Sequence, residues 1–114
     1  MSVKTERIAD ALIEEISYIL ANDVKNKDID YVTITEARVT SDLSYAKIYF
    51  TVLDDNKRKS TLKALKEASG FIRHELRERV DIRKIPLLDF VYDDSIENAQ
   101  KIEDKIKDLH ENSL

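Results

Sequence analysis

The chain contains no cysteine and no tryptophan, and only one proline and one glycine in 114 residues. Without cysteine, disulfides and thiolate zinc sites are excluded, and a reducing compartment is the expected home. No apolar run approaches the 18 or so residues of a membrane span. The opening Met1-Ser2-Val3-Lys4-Thr5-Glu6-Arg7 lacks the apolar core of a signal peptide. A cytoplasmic protein that does not enter membranes is predicted. The shortage of glycine is the sharpest of these absences. At average usage of about 7% a chain this size would carry roughly eight; Gly70 stands alone, inside Lys66-Glu67-Ala68-Ser69-Gly70-Phe71-Ile72-Arg73.

What is present is charge, 37% of the chain, beside 42% hydrophobic residues. That balance describes a globular protein with a heavily charged surface, and the length predicts a single domain over 1–114. The formal net charge is −4, which by itself argues against a polyanionic partner. Its distribution reverses that reading. Residues 57–84 carry ten basic and four acidic side chains, and the segments before and after are each net acidic. Local charge decides where a polyanion docks.

Ile8, Leu12, Ile16 and Ile19 recur at helical spacing, with Ile13 and Leu20 beside them, so residues 4 to 22 read as an amphipathic helix. Tyr31 to Val39 reads as a strand, and its apolar parity switches after Ile34, which predicts a bulge near Glu36. Thr40-Ser41-Asp42-Leu43-Ser44 is a turn. A second strand follows, with Ala46, Ile48, Phe50 and Val52 on one face and Tyr45, Lys47, Tyr49 and Thr51 on the other. Asp54-Asp55-Asn56 can cap the next helix, whose Leu62, Leu65, Ser69, Ile72, Leu76 and Val80 run straight through Gly70. Pro86 precedes a third strand, Leu87 to Tyr92. Asp93-Asp94-Ser95 caps a last helix whose Ile96, Ala99, Ile102, Ile106 and Leu109 are predicted to face inward. This order gives an α+β domain with a three-stranded sheet covered by helices on one face. Its core is expected over about 4–94 and its C-terminal helix over about 95–110.

A second stripe marks the broken helix. Lys59, Lys63, Lys66, Gly70, Arg73 and Arg77 recur at 4-3-4-3-4 and fall within about 80° of arc at 100° per residue. Gly70 belongs to this basic face, where a missing side chain admits a phosphate backbone between cations. Lys57, Arg58 and Lys59 stand in the first turn, where the helix dipole disfavours positive charge, and an anionic ligand would offset that. A solvated helix face is the plainer explanation of the same residues. Tyr45, Lys47 and Tyr49 could stack bases but read better as cross-strand pairs. Asp93 and Asp94 resemble catalytic carboxylates, yet each precedes a helix, so capping explains them. His74 and His110 are isolated and make a poor metal site. No nucleophile motif, phosphate loop or dinucleotide fingerprint occurs. No catalysis, no cofactor and no metal are expected.

Ala68-Ser69-Gly70-Phe71-Ile72-Arg73, preceded by Leu62-Lys63-Ala64-Leu65 and followed by Leu76, resembles the kinked-helix signature of the ribosome-binding factor A family. Val39 to Ile48 looks like that family's hairpin, and Ile85 to Ser95 like its last strand with the aspartate-serine exit. Together with Arg7-Ile8-Ala9 through Ile19-Leu20, the resemblance covers roughly residues 4–109. It implies a type II KH-like domain of order α-β-β-α(kink)α-β-α, with Ala68, Ser69 and Gly70 at the bend in place of a two-glycine loop. It further implies a non-catalytic factor that binds 16S rRNA within the free 30S subunit as a monomer and supports late maturation and 16S rRNA 5′-end processing. The long C-terminal tail of other members is expected to be missing. A protein-binding adaptor that docks an acidic partner on the basic helix is the alternative. If five cations of the stripe each hold a phosphate, log K falls against log salt with a slope of about −3.5 to −4.5.

Overall fold

A computed structural model describes residues 2–112. Helix α1 spans Val3–Asn22, strands β1 and β2 span Val32–Val39 and Tyr45–Val52, α2 spans Arg58–Arg79, β3 spans Leu87–Tyr92, and α3 spans Ser95–Asn112. The first helix starts at Ser2, whose hydroxyl accepts from the Thr5 backbone N–H. Its Leu12, Ile16 and Ile19 are fully buried. The three strands form one sheet in the order β1-β2-β3, with β1 and β2 antiparallel and β2 and β3 parallel. Because parallel neighbours need a crossover, α2 is carried across one face of the sheet. The result is compatible with a KH-like α+β fold.

The expected bulge is present. Ile34 pairs with Phe50 and Glu36 with Tyr49, which leaves Thr35 as the extra residue. That one insertion lets Ile34, Ala37 and Val39 all face the core despite their odd spacing. Opposite them lie Ala46, Ile48 and Phe50 of β2, and Phe90 of β3. From above, α1 supplies its stripe and α2 supplies Ala64, Leu65, Ile72 and Leu76. Thr61 brings a polar group into this layer: it is fully buried and its hydroxyl donates to the Asp28 carbonyl at 2.8 Å, tying the loop after α1 to α2. The hairpin turn is held by Asp42, whose carboxylate accepts from Thr40 Oγ1, Ser44 N and Ser44 Oγ at 2.7–3.1 Å. Those hydrogen bonds, Ser44 foremost and then Thr40, hold its carboxyl down at a pKa of about 2.

The structure corrects one expectation outright. The apolar stripe of α3 does not face inward: Ile96, Ile102, Ile106 and Leu109 are all exposed. Its first turn is nonetheless fastened. Asp93 accepts at 2.6 Å from the bulge residue Thr35 and also from Ser95 N, which together draw its carboxyl below the usual range. Arg58, at the start of α2, pairs with Glu97 and Asp55 and lies 4.1 Å over the Tyr92 ring. The helix therefore leaves the body as a tethered arm, and the long axis of the molecule reaches 60 Å.

Candidate nucleic-acid interface

Helix α2 is a single helical run through Ala68, Ser69 and Gly70. Gly70 has no positive φ, and a Cβ built on it would meet nothing within 4 Å. Its exposed position and open surroundings remove internal packing as the reason for the glycine. Before α2 comes a 3-10 turn, Asp55–Lys57, capped by Asp54, whose side chain accepts from Asn56 N. The helix proper starts without a side-chain cap. The unfavourable first-turn cation Arg58 is answered from within the chain by Glu97 and Asp55, so it calls for no external anion.

Lys59, Lys63, Lys66 and Arg77 are all exposed, and none forms an ion pair among the described residues. With Gly70 they occupy about 60° of the helix surface. Lys59, Leu62, Lys63, Lys66 and Glu67 line a shallow depression of about 320 Å3. Arg73 is placed otherwise. It stands at the edge of the arc nearest β3, is half-buried, and donates from Nε to the Pro86 carbonyl and from Nη2 to the Ile85 carbonyl, each at 3.0 Å. Those bonds position the entry to β3, so Arg73 is built into the fold, and the free cations of the stripe are Lys59, Lys63, Lys66 and Arg77. The half-burial that decides this depends on the course of the loop at Ile85-Pro86, which no periodicity in α2 reveals. Residues such as Thr61 and Arg58 carry no sequence signal for their roles for the same reason.

Elsewhere Tyr45, Tyr49, Asp93 and Asp94 find structural partners. The Tyr45 hydroxyl donates to Asp89 at 2.6 Å, which raises its pKa, and the Arg38 guanidinium lies 5.8 Å from the Tyr49 ring centre. These are the expected cross-strand contacts on the outer sheet face. Asp93 serves as a cap, and the Asp94 side chain accepts from Asn98 at 3.2 Å. His74 is exposed on α2, while the His110 side chain lies outside the described residues. Among the described residues no group of three or more His, Cys, Asp or Glu could hold a metal ion, and no helix is long and apolar enough to cross a membrane.

A family model described as ribosome-binding factor A matches residues 4–106. A ribosome-binding factor A from Macrococcus caseolyticus is 44% identical over 111 residues, covering 96% of this chain and 97% of that one. Among solved structures, the crystal structure of ribosome-binding factor A from Thermus thermophilus superposes with a TM-score of 0.68 at 21% identity, covering 77% of this chain and 94% of that one. A Thermus thermophilus ribosome-binding factor A model fitted into a cryo-EM map of a 30S complex gives a TM-score of 0.62 at 22% identity, covering 83% and 97%.

Proposed function

We propose that this chain, which belongs to the ribosome-binding factor A family, binds the free 30S ribosomal subunit through the exposed cations of α2. It acts there as a maturation factor by binding alone, in the cytoplasm, as a monomer in one domain. The observation that carries the assignment of the surface is the unpaired row Lys59, Lys63, Lys66 and Arg77 around an open glycine, on a chain that is otherwise acidic. Phosphates of 16S rRNA meet the lysines, and Gly70 lets the RNA backbone reach the helix surface. The acidic remainder repels RNA, which confines contact to one face and eases release once the subunit has matured. Support for 16S rRNA 5′-end processing follows from holding that rRNA in place, with no chemistry supplied by the factor. The Thermus thermophilus relative associated with a 30S map supports the choice of partner.

Four phosphate contacts rather than five give a salt slope of about −2.8 to −3.6 in log K against log salt. Co-sedimentation with purified 30S subunits across a salt series measures it. The double variant Lys63→Glu, Lys66→Glu is expected to lose 30S binding while keeping its thermal melt. A salt-independent interaction, or full binding by that variant, removes the stripe from the mechanism. Binding that survives ribonuclease treatment of the target points instead to a protein adaptor.

A further inference from the structure

Next to the lysine row, on the α1 side of α2 and away from β3, lies an open cleft of about 300 Å3. Its floor is apolar, from Val24, Ala64 and Ala68, all of which pack into or against the core. One wall is Phe71, which is 44% exposed and follows Glu67 by one helical turn. The other wall is the loop after α1, with Asp23, Lys25 and Asn26. Glu67 borders both this cleft and the depression of Lys59, Lys63 and Lys66, so the two are continuous along α2.

The polar groups of the cleft are not equivalent. Asp23 is already engaged by Arg79 at 3.3 Å, and the Asn26 side-chain oxygen accepts from Asp28 N at 2.9 Å. What remains is the Asn26 amide N–H2 as donor, the Lys25 ammonium, and the Glu67 carboxylate, which has no ion-pair partner among the described residues. A carboxylate at the rim of a phosphate-binding row opposes the phosphates unless it has a second task. An open cleft with an apolar floor, one aromatic wall, and one free acceptor across from the donors of Lys25 and Asn26 matches an unpaired nucleobase, which stacks on the ring and offers amino hydrogens to the carboxylate.

Resting on the rRNA-binding reading, we infer that the Phe71–Glu67 cleft takes one unpaired base of the RNA strand held by the lysine row and prefers a base with an exocyclic amino group. Uracil presents carbonyl oxygens on either side of its N3–H, so the Glu67 carboxylate disfavours it, whereas adenine and cytosine present an amino group. Phe71 supplies sequence-tolerant stacking, and Glu67 supplies the preference.

The test uses the full chain and fluorescently labelled oligo(A), oligo(C) and oligo(U) of about ten nucleotides, a length within the usual reach of one single-strand-binding module. Oligo(A) and oligo(C) are expected to bind several-fold more tightly than oligo(U). Phe71→Ala weakens oligo(A) about tenfold, in line with the loss of one stacked base. Glu67→Gln brings the three oligomers to within about twofold. Both positions are exposed, so the variants keep their melts. The pair Lys63→Ala, Lys66→Ala weakens all three alike and flattens the salt slope, leaving the base preference intact. Equal binding of all three oligomers by the unmodified chain, or unchanged binding by Phe71→Ala, overturns the base site while the lysine result stands separately. An unaltered salt slope in the lysine variant overturns the phosphate row on which it rests.

Discussion

Replacing Gly70 by alanine separates stability from function at one position. The backbone there is helical with no positive φ, and the added methyl meets no atom within 4 Å, so the folded state gains no clash. A solvent-exposed glycine inside a helix is less favourable than alanine by about 1 kcal/mol, chiefly through backbone entropy in the unfolded chain. For 114 residues the unfolding entropy near the midpoint is on the order of 240 cal/mol/K at ~2.1 cal/mol/K per residue, so the variant is expected to melt about 4 °C higher. If Gly70 is where the RNA backbone closes on α2, the same methyl stands in that approach, and 30S affinity falls several-fold. Scanning calorimetry and 30S co-sedimentation on one preparation read both quantities. A midpoint that stays put or drops would refute the open, unstrained packing at Gly70. A raised midpoint with full 30S affinity would show that the glycine admits no ligand.

Three further outcomes follow from named contacts. Arg73→Ala strands the Ile85 and Pro86 carbonyls and costs about 2 kcal/mol in urea unfolding, whereas Lys66→Ala stays within about 0.5 kcal/mol; equal effects would return Arg73 to the solvent-facing row. Thr61→Val keeps the shape but removes the donor to Asp28, for a loss of about 1–2 kcal/mol by the same assay, and a neutral result would deny that this bond holds the loop. Asp42, near a pKa of 2, and Asp93, also lowered, favour the folded state when ionised. Their contribution is complete above about pH 4 and is lost as pH falls toward 2. The double variant Asp42→Asn, Asp93→Asn should melt with a shallower pH dependence than the parent in that window, and parallel curves would contradict the role given to these two carboxylates.

Periodicity made much of this protein legible in advance. The stripe of α1, the alternation of β2 and the 3-4 rhythm of α2 each fix one buried face, because a helix or strand presents side chains at a set angular repeat. The parity switch after Ile34 even located the bulge, since a strand can change faces only by inserting a residue. The rhythm of α3 has the same form, yet its Ile102, Ile106 and Leu109 stand in solvent. Amphipathicity shows that a face is apolar; whether anything covers it depends on where the chain exits the sheet.

The basic row was equally visible as spacing on one helix, and the structure leaves Lys59, Lys63, Lys66 and Arg77 open on it. Spacing could not distinguish them from Arg73, whose partners are carbonyls 12 and 13 residues away, or from Arg58, whose partner Glu97 lies 39 residues on. The cleft beside Phe71 was likewise hidden, because it joins α2 to a loop about 40 positions earlier. Sequence determined the elements, their apolar faces and the sign of the charge on α2, all properties of neighbours within a few residues. Tertiary structure alone decided which cations remain free and which surfaces meet, because a hydrogen bond or a cavity wall depends on distance through space.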